Sequence, residues 1–182
     1  QLSISPNEFA KLQKTSDSLF WKNNETSIKA KYGSIKATHF SLFNILNEPV
    51  SLSSLTNKVV VLDFWANWCS PCKASFPMMK RLVEKYKNDN DVEFLFIEVW
   101  EREAAQINLE KTKLYMAENK FNFNVLFDVN NKVVTDYKIM GIPTKVIINK
   151  QGEIINVDEN LVMLSEEEVF KNLSFFIDGA KK

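Results

Sequence analysis

Residues 59–77 read VVVLDFWANWCSPCKASFP, and the fold turns on them. Val59–Phe64 is β-branched or large and apolar at every position but one, the pattern of a strand covered on both faces. A Cys-Ser-Pro-Cys turn follows, with Cys69 at the mouth of a helix and Cys72 one turn further in. Neighbours three apart on a helix can be bridged without moving the backbone. Pro71 suits the first turn, where its missing N–H would have no partner anyway. The partial positive charge and free N–H groups of a helix start favour thiolate over thiol. Cys69 is therefore read as the attacking nucleophile and Cys72 as the thiol that resolves the mixed disulfide. Such a pair within a strand-helix-strand pattern reads as a redox dithiol.

Asp63 is the exception in the apolar run, six residues before Cys69. A buried charge is costly unless paired or neutralised, and burial raises a carboxyl toward the range useful for proton transfer. Asp63 is assigned as the group that accepts and returns the Cys72 proton, through a water. The plainer alternative is a strand-end carboxylate that satisfies backbone donors.

The chain has 182 residues, 45% of them apolar and 25% charged, which suits one domain with an extension. Its 23 Lys and Arg cancel its 23 Asp and Glu, so bulk electrostatics gives no pull toward nucleic acid or an anionic membrane surface. Cys69 and Cys72 are the only cysteines and His39 the only histidine. Neither a disulfide framework nor a four-ligand zinc site is supplied, and no metal or cofactor beyond the dithiol is expected. No run reaches the ~18 apolar residues of a membrane span, and residues 1–16 lack the apolar core of a signal peptide. A removed N-terminal signal or membrane tether is compatible with the chain as it stands.

Taken in order, Ser5 to Glu8 forms a capping box, and helical spacing predicts a helix over residues 6–21. Residues 23–34 are polar and aperiodic, which predicts a linker or loose arm; the division is residues 1–36 as a helical extension and linker, and 37–182 as the main domain. His39–Leu42 and Pro49–Leu52 predict a hairpin, Lys58–Phe64 and Val92–Val99 buried strands, and Pro71–Tyr86 a helix bent at Pro77. Residues 103–119 predict a helix with Ala104, Ile107, Lys111, Leu114 and Tyr115 on one face. Phe123–Phe127 reads as a strand, Asn131–Tyr137 as a short helix, and Lys145–Asn149 with Ile154–Val157 as a hairpin turning at Gly152. Ser165 to Glu168 is a second capping box, opening a final helix. Gly141-Ile142-Pro143-Thr144 reads, on sequence physics alone, as the start of a strand. Glu98, Trp100 and Glu101 read as a solvated rim at the active edge, or as a selector of basic or aromatic partners.

The run DFWANWCSPCK at 63–73, proline five residues after the second cysteine and GIPT at 141–144 resemble thioredoxin. The segment HFSLFNILNEPVSLSSLTNKVVVLDFWANWC at 39–69 and an extra helix after the second strand are similar to the TlpA/ResA branch of exported thiol-disulfide oxidoreductases. The resemblance spans residues 37–178. It implies an α/β thioredoxin fold: a central mixed sheet flanked by helices, with an N-terminal β-hairpin, the extra helix and an N-terminal helical extension. It implies a cis Pro143 packed on the disulfide, an Ile142 backbone offered to an extended client peptide, and a client-facing surface formed with Trp68, Ser70 and Pro71, with Trp65 either shaping the surface around Cys69 or lying in the core. Asp63 matches thioredoxin's buried acid. Ser75 departs from the branch, which often carries glutamate there, and Ser70-Pro71 differs from thioredoxin's Gly-Pro, so the redox potential does not transfer.

The reading that follows is an enzyme exchanging disulfides with protein partners, as a reductase supplied by an upstream thiol electron donor. Its location is extracytoplasmic, in a bacterial periplasm, with the cytoplasm as the alternative. The competing classes are a non-catalytic binding module of the same fold, and a peroxiredoxin-like peroxidase, whose threonine place here holds Ala66.

Overall fold

A computed structural model describes residues 19–31, 35–159 and 165–181. The capping box at Ser5 and residues 6–18 of the expected first helix lie outside the described residues.

Residues 19–31 are helical (α1), which corrects the reading of residues 23–31 as an aperiodic linker. The stretch mixes strong helix formers (Leu, Lys, Glu, Ala) with weaker ones (Asn, Thr, Ser, Ile), and is fastened at a few points rather than along an apolar stripe. Trp21 stacks on Phe175 at 5.7 Å, Ile28 is buried, and the Asn24 side chain donates to the Ile155 carbonyl.

The hairpin strands β1 (Ser41–Asn44) and β2 (Pro49–Ser51) come next, then β3 (Val59–Trp65) and α2 (Ser70–Tyr86). β4 (Val92–Glu98), α3 (Ala105–Glu118), β5 (Val125–Phe127) and α4 (Lys132–Asp136) follow, and β6 (Thr144–Ile148), β7 (Ile154–Asp158) and α5 (Glu166–Ala180) complete the chain. Among the described residues the strands form one sheet in the order β2-β1-β5-β4-β3-β6-β7. β3, β4 and β5 are parallel, and the other pairings are antiparallel. This is the mixed sheet of a thioredoxin fold, and β3 lies deep within it.

Every residue of β3 is buried, and its alternation sorts the core into two layers. Val59, Val61 and Trp65 join both cysteines, Phe76 and Met79 of α2, and Leu173 and Ile177 of α5. Val60, Leu62 and Phe64 pack on the other face with Val133, Val134 and Tyr137. By the same alternation Asp63 lies on the face covered by α2. Its cross-strand partner on β6 is Lys145, whose neighbour but one, Ile147, belongs to that same layer.

The expected face of α3 is wrong. Ile107 and Leu114 are more than half exposed, and the buried positions are Asn108, Thr112 and Met116. The helix turns polar side chains inward because a buried acid at the end of β4 needs donors. The final helix opens on its capping box, with Ser165 and Glu168 bonded reciprocally, and Gly152 turns the β6–β7 hairpin at φ 72°.

Candidate active site

Cys69 caps α2. Its sulfur accepts the backbone N–H of Cys72 at 3.2 Å, so a helix-start donor points at the sulfur that would carry negative charge. Cys69 and Cys72 are joined as a disulfide with their Cα atoms 5.3 Å apart. Cys72 is fully buried and Cys69 shows 3% of its surface. Ser70 and Pro71 between them are exposed, so the turn stands at the surface with Cys72 the deeper of its two cysteines.

Beneath the turn, Asp63 and Lys145 form an ion pair with 1% and 0% exposure. The lysine is a residue that sequence reading missed. It stands in the apolar run Thr144–Ile148, and a charge inside such a run was the available signal. Burial pushes the Asp63 carboxyl up, against the opposing charge and hydrogen bond of Lys145. Asp63 Oδ2 is buried and has no hydrogen-bond partner among the described residues. Lys145 Nζ also lies 3.5 Å from Ser75 Oγ, and that hydroxyl donates to the Cys72 carbonyl at 2.8 Å. Ser75, the departure from the TlpA/ResA pattern, thus links the ion pair to the second cysteine's turn of helix.

The Ile142–Pro143 peptide is cis. Pro143 is buried at the head of β6, and Ile142 packs against the layer that holds both cysteines. Trp68 is 42% exposed, its indole N–H donates to the Trp100 carbonyl at 2.9 Å, and the Arg102 guanidinium sits 4.5 Å from its ring centre. Trp65 is core, packed edge-on to Phe76.

The segment after β4 is not the solvated rim expected of it. Glu98 is 2% exposed and accepts hydrogen bonds from the side chains of Asn108, Thr112 and Asn67, all uncharged. Burial pushes its carboxyl up to about 8, the Thr112 hydroxyl opposing and the Glu101 charge adding to the rise. Glu101 accepts the backbone N–H of Asn67, and burial raises its carboxyl too, against that bond.

Residues 34–157 match the model of the AhpC/TSA family. The chain belongs to that family. Among its relatives, the thiol-disulfide oxidoreductase ResA of Bacillus subtilis is 32% identical over 121 residues, covering 66% of this chain and 64% of the relative. ResA of Oceanobacillus iheyensis is 34% identical over 127 residues, covering 68% of this chain and 60% of the relative. The chain thus spans less than two thirds of these relatives' length. A thiol:disulfide interchange protein of the thioredoxin family from Chlorobium tepidum superposes with a TM-score of 0.66 at 22% identity, covering 82% of this AhpC/TSA chain and 97% of its own, which shows the shared fold.

Proposed function

We propose that this chain is a thiol-disulfide oxidoreductase that reduces disulfides in protein partners. The observation that carries the reading is the Cys69 sulfur at the start of α2, facing the Cys72 N–H and bonded to a cysteine that is otherwise sealed from solvent. The Cys69 thiolate attacks one sulfur of a client disulfide. That S–S bond breaks, and its electron pair leaves on the other client sulfur, which takes a proton from solvent. Cys72 then gives its proton to Asp63, through a water, and its thiolate attacks Cys69 Sγ. The mixed disulfide breaks and the client's remaining sulfur departs as thiolate. The client gains two electrons, the Cys69–Cys72 pair loses them, and an upstream thiol donor restores the pair.

Trp68, Ser70, Pro71, Ile142 and Pro143 form the client-facing surface in this reading, with the Ile142 backbone pairing to an extended client segment. The place of action is extracytoplasmic, as the TlpA/ResA resemblance implies, with a tether upstream of residue 1 as the membrane attachment. No helix among the described residues is long and apolar enough to cross a membrane. The dithiol itself is the redox carrier and needs no added cofactor.

A nitrobenzoate disulfide with a coloured thiolate product separates the two steps. The reduced chain is expected to release two equivalents of colour in two phases, the first from Cys69 attack and the second from Cys72. Cys72→Ser should keep the first phase and lose the second, and Cys69→Ser should lose both. Release of only one equivalent by the parent chain would identify a binding module without turnover. Equilibration with glutathione and dithiothreitol sets the direction. A potential below about −200 mV fits a reductase, and one near about −120 mV would overturn that direction.

A further inference from the structure

The segment after β4 grips the residues just before Cys69 at several points. Val99 N–H donates to the Trp65 carbonyl at 2.9 Å, Asn67 N–H is held by Glu101, and Trp68 is held by Trp100 and Arg102. The Asn67 side chain reaches Asn108 at 2.9 Å, Thr112 at 2.6 Å and Glu98 at 3.3 Å. Glu98 is the hub, since α3, the end of β4 and the loop before Cys69 all meet on its carboxyl. Asn67 is two residues from the nucleophile, and Cys69 N–H is bonded back to Ala66. The turn from Ala66 to Cys69 is thus one hydrogen-bonded unit with Asn67 inside it.

We propose that Glu98 and Glu101 are a proton-sharing carboxyl pair that positions the Asn67–Trp68 segment, and with it Cys69, and that loss of the shared proton loosens that segment. Glu98 has neutral hydrogen-bond donors, so its burial favours the protonated form. Protonated, it donates to Glu101, and Glu101 keeps its hold on the Asn67 backbone. With both ionised, two adjacent carboxylates repel in a poorly hydrated place, and Glu101 withdraws from Asn67. The charged groups facing the pair are Glu103 in the same loop and Lys73 on α2, Arg102 with Lys111 and Glu118 of α3, which line a second cleft with Glu101, and Asp128 after β5, which lines the same cleft of about 280 Å³ as Glu98 and Glu101. That cleft is open enough to give the pair a path for proton exchange. Glu98 and Glu101 act through the loop and are positioning residues.

The test is a titration of the full chain by amide NMR, with Glu98→Gln as the neutral isostere. The Asn67 amide resonance of the parent should titrate with a midpoint near 8 and lose that step in Glu98→Gln. The rate arm rests on the exchange reading: the first-phase release should match between the two proteins near about pH 6.5. At about pH 9.5 it should be about threefold or more faster in Glu98→Gln, the scale on which a small misplacement of a reacting atom slows chemistry. An Asn67 amide that does not titrate, or that titrates alike in both proteins, overturns the inference. Equal rates at both pH values overturn its effect on Cys69. If Glu98→Gln does not fold, the ¹³C carboxyl resonance of Glu98 in the parent decides, by titrating together with the Asn67 amide or apart from it. Absence of a second colour phase speaks only to the exchange reading, because the Asn67 titration does not depend on turnover.

Discussion

Lys145 changes what Asp63 can do. A carboxyl buried alone would stay protonated over the working range, whereas beside an ammonium it can ionise and take a proton. Burial raises Asp63 and Lys145 restrains the rise, so removing the lysine should push the carboxyl higher still. Lys145→Met is expected to slow the second colour phase at neutral pH by about tenfold, its midpoint moving up by about one pH unit, and to leave the first phase unchanged. A second phase that keeps its midpoint would sink the role of the pair. The same variant should cost about 3–5 kcal/mol of stability, because it leaves a buried carboxyl without the partner that paired with it. Asp63→Asn with Lys145→Met removes both charges and should recover most of that loss in a urea titration. Asp63 was legible in the sequence because it breaks an apolar strand beside the cysteines. Lys145 breaks its own apolar strand in the same way, but its pairing with Asp63 was not legible, since it lies 82 residues away and only the antiparallel register of β3 and β6 sets the two face to face.

Elements were legible where their periodicity was strong. The buried strands, the helix after the cysteines and the capped final helix follow the apolar pattern and the cap residues. The span of α3 follows the pattern but its buried face does not, and α1 runs on past residue 21 where no helix was expected, since neither is held by an apolar stripe. In α3 the inward face is Asn108 and Thr112, chosen by Glu98 on another element, and no local pattern announces that. In α1 the hold is a few scattered points, chief among them the Trp21 ring, stacked on Phe175 and edge-on to Phe176. This docking explains Gly179 in α5. A Cβ there would run into the Trp21 indole, so the glycine permits close approach and not a turn. Gly179→Ala is therefore expected to destabilise by about 1–3 kcal/mol through overpacking, although alanine favours a helix over glycine by about 1 kcal/mol. Urea titration of the parent and of Gly179→Ala checks the sign, and a gain in stability would show that Trp21 moves aside freely. Adding Trp21→Ala to Gly179→Ala should bring the alanine's helix preference back into view, because the colliding ring is gone.

On the scale of the whole molecule, the redox turn rests on two buried acids, Asp63 beneath the second cysteine and Glu98 beneath the loop that leads to the first. Both are raised by burial, and that links the site to the stability of the fold. An acid raised in the folded state binds more protons folded than unfolded between its two pKa values. The stability it lends is complete below its ordinary value and drains away as pH climbs through the raised one. For Glu98 the window runs from 4.5 to about 8, and Asp63 adds loss of the same sign. The surface acids run the other way: Glu153, held low by Lys36, and Glu168, held low by the Ser165 hydroxyl, lend stability that disappears on acidification, and their exposure keeps it small. The oxidised chain should therefore have a lower urea midpoint at about pH 9 than at about pH 6. Glu98→Gln has no proton to lose there and should narrow the difference. A parent midpoint that holds or rises between those pH values would mean that the Glu98 carboxyl is already ionised in the fold, and the charge pattern around Asn67 would then have to be stable without a shared proton.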